Sequence, residues 1–100
     1  MDQSRTSQTP TIRARIVIAG RVQGVYFRAS ARDVARAQRL SGWVRNRTNG
    51  DVEAVVEGEA DAVQAFIAWC HTGPPGAHVT EVRVTMDPST DEYQGFRIVG

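Results

Sequence analysis

The stretch Gly20-Arg-Val-Gln-Gly-Val-Tyr-Phe-Arg28 is the most informative part of this sequence. It follows an apolar run, Ile16-Val-Ile-Ala19, that is typical of a strand, and it leads into a segment with helical spacing. Its two glycines allow the backbone to turn sharply and to bring N–H groups close to a ligand. A helix N-terminus adds unpaired amides, and Arg28 adds a permanent cation with a planar fork of donors. The stretch therefore predicts an anion site, most suitably for a phosphoryl group.

The segments on either side of this loop have clear periodicity. Residues 12–19 place isoleucine or alanine at every second position, which predicts a strand with at least one buried face. From about residue 27 to residue 40, apolar residues recur at helical spacing, so we expect the first helix there.

The rest of the chain predicts four more strands and a second helix. An Asn49-Gly50 turn signal separates two short strand-like segments and indicates a hairpin. The expected elements are strands at 43–47 and 52–57, a helix at 60–72, and strands at 79–85 and 93–99. This β-α-β-β-α-β-β order predicts an α+β sandwich, with both helices on one face of an antiparallel or mixed sheet.

A second motif lies in the predicted hairpin. Gly42-Trp-Val-Arg-Asn46 is followed by Gly50-x-Val52 and then by Gly58. With both motifs present at this separation, the chain resembles the acylphosphatase family over roughly residues 12–99. The resemblance implies a ferredoxin-like architecture with a five-stranded sheet, in agreement with the element order.

The residues of the two motifs suit the hydrolysis of an acyl phosphate. The compound is a mixed anhydride whose carboxylate departs easily, so a catalyst must mainly hold the phosphoryl group, stabilise its oxygens and align a water molecule. Arg28 and the amides of about residues 21–28 suit the first two tasks, and the carboxamide of Asn46 suits the third. The family resemblance implies these same roles for Arg28 and Asn46.

The resemblance also implies that the loop contacts the substrate. The residues concerned are Arg21, Val22, Gln23, Gly24, Val25, Tyr26 and Phe27. We expect Val22, Gln23 and Gly24 to act mainly through backbone conformation, so that Gly24→Val is more harmful than Gln23→Ala. No side-chain base is apparent, and proton transfer to a substrate phosphate oxygen is our hypothesis.

Arg28 and Asn46 can act together only if they meet in space. Asn46 is near the end of the strand that follows the first helix. In a split β-α-β fold this strand can lie beside the first strand, which brings its end toward the loop. We therefore expect the two strands to be neighbours.

Composition limits the classes of partner. The formal net charge of +1 gives no strong reason to expect nucleic acid or an anionic membrane, and no apolar run approaches the ~20 residues that span a bilayer. Residues 1–10 predict a disordered tail, and residues 11–100 predict a single domain. A lone cysteine, Cys70, fits a reducing cytoplasm. No residues have the spacing of metal ligands, so we expect no metal and no cofactor. We also expect a monomer.

Several other polar or reactive residues have a structural explanation. Cys70 falls on the apolar stripe of the second helix and is expected in the core. A solvated surface and a complement to the helix dipole account for the four carboxylates Glu53, Glu57, Glu59 and Asp61.

Two alternatives remain open at this point. One is a non-catalytic phosphate- or nucleic-acid-binding module with the same ferredoxin-like fold. The other is suggested by acylphosphatase-like domains that form part of larger carbamoyl-transfer maturation proteins. Because the chain ends at Gly100 without a zinc-finger or transferase region, we expect a stand-alone hydrolase of small acyl phosphates.

Overall fold

The computed structural model describes residues 10–100, in which five strands and two helices follow one another in the predicted order. The elements are β1 (Thr11–Arg21), α1 (Phe27–Ala37), β2 (Ser41–Asn46), β3 (Val52–Glu59), α2 (Ala60–Cys70), β4 (His78–Pro88) and β5 (Phe96–Ile98). The predicted tail lies outside the described residues except for Pro10, whose carbonyl accepts a hydrogen bond from the Ala60 amide. The α+β class is confirmed.

The sheet is mixed, with the strand order β4-β1-β3-β2-β5. β1 is antiparallel to both β3 and β4, β2 is antiparallel to β3, and β5 is parallel to β2. The expectation that β2 lies beside β1 is therefore wrong. A short turn makes β2 and β3 neighbours, and it is β3 that occupies the place next to β1.

The ends of β1 and β2 nevertheless lie at the same edge of the sheet, because both strands run antiparallel to β3. Ile18 is opposite Val52, and Val52 is opposite Asn46. These three residues form one row across the sheet, in which Ile18 and Asn46 are about 10 Å apart. The loop that follows β1 has to cross only the end of β3 to reach Asn46.

Both helices pack on the same face of the sheet and enclose the core. α1 packs against β2 and β5, whereas α2 packs against β1 and β3. The buried side chains of the helices are Phe27, Ala31 and Ala35 on α1 and Val63, Phe66 and Cys70 on α2. The placement of Cys70 in the core is confirmed. The sheet contributes alternate residues, among them Ile16, Ile18, Val44 and Val52.

Two carboxylates on the other face of the sheet differ from the prediction. Glu53 and Glu57 are both buried, so the expectation of a solvated surface is wrong for them, whereas Glu59 and Asp61 are exposed. The carboxylate of Glu53 accepts hydrogen bonds from Arg15 and Arg45. Burial alone would raise the pKa of Glu53, but these two guanidiniums outweigh it and the pKa is lowered.

Glu57 holds the segment between β4 and β5. Its carboxylate accepts hydrogen bonds from the amides of Thr90 and Asp91 at 2.9 and 3.0 Å. Burial would raise the pKa of Glu57, but the hydrogen bonds from Thr90 and Asp91 and the charge of Arg13 lower it overall. β5 begins only at Phe96 rather than at residue 93, directly after Gly95, which has a left-handed conformation with φ 72°.

Both helices are shorter than predicted. α1 ends at Ala37 rather than near residue 40, because Arg39 adopts a left-handed conformation with φ 59° and the Leu40 amide bonds back to the Ala35 carbonyl. Neither helix between Pro10 and Gly100 is long and apolar enough to cross a membrane.

Candidate active site

A cavity of about 400 Å³ lies between the start of α1 and the end of β2. It brings Arg28 and Asn46 to the same space, although one lies near the start of α1 and the other at the end of β2. The lining residues are Val22, Gly24, Tyr26, Phe27, Arg28, Ala29, Asn46 and Ile98. Six of these residues were predicted as site residues from the sequence.

The loop between β1 and α1 curls because two of its residues adopt left-handed conformations. Gly24 has φ 75° and Tyr26 has φ 63°. A Cβ atom at Gly24 would meet nothing within 4 Å, so glycine is favoured there by its backbone angles and not by crowding. At Gly20 the reason is different, since a Cβ atom would lie 2.1 Å from the His78 carbonyl oxygen in β4.

The start of α1 leaves its amides available to a ligand. Tyr26 is the N-cap residue and makes no side-chain cap, and the first hydrogen bond of the helix runs from the Ser30 amide to the Tyr26 carbonyl at 3.0 Å. The amides of the first three helical residues, 27–29, therefore have no partner within the helix. Within residues 10–100, the amides of the preceding loop, 22–26, also donate to no backbone carbonyl. Such a group of amides suits an anion.

Arg28 adds the positive charge of the site. It is partly buried, and within the described part of the chain its guanidinium has no ion pair and no hydrogen bond. None of the lining residues is acidic. The electrostatics of the cavity therefore favour an anionic ligand, and the planar guanidinium can bond two oxygens of a phosphoryl group at once.

Asn46 lies at the last position of β2 and points to the face of the sheet that α1 covers. Its partner across the ladder is Val52, which faces the core. The Asn46 Oδ1 atom is buried and has no hydrogen-bond partner among residues 10–100. Leaving a buried acceptor unpaired costs about 1–3 kcal/mol. The carboxamide is therefore well suited to accept a hydrogen bond from a bound ligand or from water.

Gln23 does not line the cavity, and its side chain makes a contact that the sequence did not predict. The Gln23 side-chain amide donates to the carbonyls of Arg47 and Asp51 at 2.8 and 2.9 Å. Both carbonyls belong to the turn that follows Asn46, so this side chain ties the loop that precedes Arg28 to the end of the strand that carries Asn46. The expectation that Gln23 acts mainly through its backbone missed this contact, because nothing in the sequence pairs residue 23 with residues 47 and 51.

Arg21 and Val25 also lie outside the cavity lining. Arg21 is the last residue of β1, is exposed and is paired with His78 in β4. Val25 is partly buried and packs against the core. Conversely, Ile98 lines the cavity without having been predicted. It reaches the site because β5 pairs with β2, where Ile98 is opposite Val44, and strand order of this kind leaves no local signal in the sequence.

The lining offers few groups for proton transfer. It contains no aspartate, glutamate, histidine, cysteine or lysine side chain. Within residues 10–100, no group of three or more histidine, cysteine, aspartate or glutamate side chains is arranged to hold a metal ion.

A ferredoxin-like sheet that presents a glycine loop, an uncapped helix start and an arginine to one cavity defines a small phosphoryl-binding α+β domain. The acylphosphatase family model matches residues 14–98, and the chain belongs to the acylphosphatase family.

Known relatives agree with this assignment. The acylphosphatase of Aeropyrum pernix is 56% identical over 88 residues, which cover 87% of each chain. The crystal structure of acylphosphatase from Bacillus subtilis superimposes with a TM-score of 0.86 at 39% identity, covering 89% of this chain and 99% of the other. Full-length HypF, in its phosphate- and nucleotide-bound form, matches with a TM-score of 0.79 at 32% identity, covering 94% of this chain but 12% of HypF.

Proposed function

We propose that the hydrolysis of acyl phosphates, which membership of the acylphosphatase family assigns to this chain, takes place in the cavity between the Gly20–Arg28 loop and Asn46. The products are a carboxylate and inorganic phosphate. The observation that carries the proposal is the convergence of three features on one cavity: the Arg28 guanidinium, the free amides at the start of α1, and the unpaired Asn46 Oδ1 atom.

Each feature supplies one part of the chemistry. The guanidinium and the amides bind the phosphoryl oxygens and stabilise their charge as the transition state forms. Asn46 Oδ1 accepts a hydrogen bond from a water molecule and directs it at phosphorus. A water oxygen–phosphorus bond forms, and the bond from phosphorus to the acyl oxygen breaks with departure of the carboxylate. The water proton passes to a phosphoryl oxygen, because the cavity supplies no base.

The remaining loop residues have supporting roles in this scheme. Val22 and Phe27 are buried and form the apolar floor of the site, and Gly24 gives the loop its curl. Gln23 holds the loop against the turn after Asn46. Arg21 and Val25, outside the lining, fix the two ends of the loop.

The broader setting is part of the same proposal. Residues 11–100 act as one catalytic domain, as a monomer in the cytoplasm, on a small acyl phosphate and without a cofactor. The free, buried Cys70 fits a reducing compartment. The net charge of +1 gives no support to nucleic acid as a partner.

Steady-state hydrolysis of benzoyl phosphate in EDTA tests the site. We expect Arg28→Ala to abolish turnover and inhibition by inorganic phosphate, and Arg28→Lys also to fail, because a point charge replaces the planar fork. Asn46→Ala is expected to lower kcat by about 10²–10³-fold and to retain phosphate inhibition. Arg32→Ala, on the same helix but outside the cavity, is the matched control.

Near-full kcat in Asn46→Ala would contradict the water-positioning role. A folded wild-type chain that binds phosphate without any turnover would instead favour the non-catalytic phosphate-binding module.

A further inference from the structure

Tyr26 stands out because both its conformation and its exposure are unfavourable for a large side chain. It adopts a left-handed backbone conformation with φ 63°, which bulky residues seldom do. Its side chain is 84% exposed and lies at the mouth of the cavity. A strained residue at the rim of a site is a reason to look for a function in ligand binding.

The fold itself makes no use of the ring. Tyr26 provides the N-cap position of α1 through its backbone carbonyl, and it makes no side-chain cap. Within residues 10–100, its ring forms no aromatic pair, and no guanidinium lies over it. Glycine or asparagine would meet the backbone requirement with less strain.

The position of the ring relative to the phosphoryl site suggests what it contacts. Arg28 is partly buried and Tyr26 is largely exposed, so an acyl phosphate whose phosphoryl group is held by Arg28 and the free amides would direct its acyl part toward the Tyr26 ring. The apolar side chains of Ile98 and Ala29 also line the cavity. A planar apolar acyl group would stack on the Tyr26 ring and cover surface that is otherwise in water.

Building on the proposed function, we infer that the Tyr26 ring is the acyl-binding surface of this enzyme and favours acyl phosphates with an aromatic acyl group over those with a small one. The phosphoryl group would be held in the same way for every substrate. The acyl group would determine how much additional contact the substrate makes outside the phosphoryl-binding part of the cavity.

The test compares kcat/KM for benzoyl phosphate and for acetyl phosphate in the wild-type chain, Tyr26→Phe and Tyr26→Asn. Asparagine tolerates the left-handed conformation, so Tyr26→Asn removes the ring while keeping the shape of the loop. We expect the benzoyl-to-acetyl ratio to fall about tenfold in Tyr26→Asn and to keep its wild-type value in Tyr26→Phe. A urea unfolding curve for each variant establishes that it is folded.

A ratio that is the same in the wild-type chain and Tyr26→Asn would overturn this inference and leave the proposed function standing. An equal fall for both substrates is one form of this outcome, and it would indicate a distorted loop that affects every acyl phosphate alike. If the folded wild-type chain hydrolysed neither compound, the proposed function itself would fail.

Discussion

Cys70 has a reactive side chain in an environment that suppresses its reactivity. It is fully buried on the inner face of α2, and burial raises the pKa of its thiol to about 12. The thiolate needed for nucleophilic attack is therefore nearly absent at neutral pH. This chemistry agrees with the absence of Cys70 from the cavity lining.

From this burial we predict that a thiol reagent such as a disulfide dye does not label the native chain at neutral pH. In concentrated urea the same reagent should label one thiol per chain, because Cys70 is the only cysteine. Hydrolysis of benzoyl phosphate should survive exposure of the native enzyme to the reagent. Labelling of the native chain as fast as a free thiol would contradict the prediction.

Among single residues, Arg28 and Asn46 could be predicted as candidate site residues from local patterns, and both line the same cavity. A glycine loop before an arginine at a helix start favours an anion site, and Asn46 follows from the second motif. The buried states of Glu53 and Glu57 were not predictable, because their partners come from other strands and from the segment after β4. The alternation along β3 predicts that Glu53 and Glu57 share a face of the sheet, but it does not predict which residues cover that face.

At the scale of elements, the site depends on how the loop after β1 is held against the turn after β2. The Gln23 side chain makes this connection with two hydrogen bonds to backbone carbonyls. The turn is itself closed by hydrogen bonds from the Arg47 amide to the Asp51 carbonyl and from the Gly50 amide to the Arg47 carbonyl. One side chain therefore joins the two elements that carry Arg28 and Asn46.

We predict that Gln23→Ala lowers kcat for benzoyl phosphate by up to about 10²-fold, because a misplaced catalytic group costs that much even when it is chemically intact. Gln23→Glu should be equally impaired, since a carboxylate cannot donate to the two carbonyls. Gln64→Ala, on the exposed side of α2, is the control. Inhibition by inorganic phosphate should weaken much less than kcat falls, and equal losses in both would point to general damage to the loop.

The elements themselves were predicted better than their arrangement. Alternation in β1 and the apolar stripe of α2 are local patterns, and both elements formed where they were expected. The strand order was harder to predict from the sequence. The hairpin motif specifies that β2 and β3 are neighbours, but it does not specify which of them lies beside β1. β5 also begins later than the sequence predicted, since Gly95, directly before it, has a left-handed conformation.

At the scale of the whole molecule, the two buried carboxylates make stability depend on pH. The pKa values of Glu53 and Glu57 lie below the ordinary value of 4.5 in the folded chain. A carboxyl group of this kind stabilises the fold fully above its unfolded pKa, and this contribution is lost as the pH falls through the folded pKa. Stability should therefore decrease on acidification below about pH 4.5.

We predict that Glu57→Gln lowers the free energy of unfolding by about 2 kcal/mol at pH 7, because the charged acceptor of the Thr90 and Asp91 amides is lost. The free energy of unfolding of the variant should also decrease less between pH 5 and pH 3 than that of the wild-type chain. Urea unfolding at pH 7, 5 and 3 measures both effects. Glu59→Gln, exposed on the same strand, is the control, and identical behaviour of the two variants would contradict the assignment.

The strand order also has a consequence for synthesis. β1 is made first, yet its two neighbours in the sheet begin only at Val52 and His78. Its pairing must therefore wait for distant parts of the chain, and closing such long loops places folding among the slower topologies. A nascent chain that has not yet reached β4 presents β1 as an open edge to other chains. The half-made protein is thus more exposed to aggregation than the finished one.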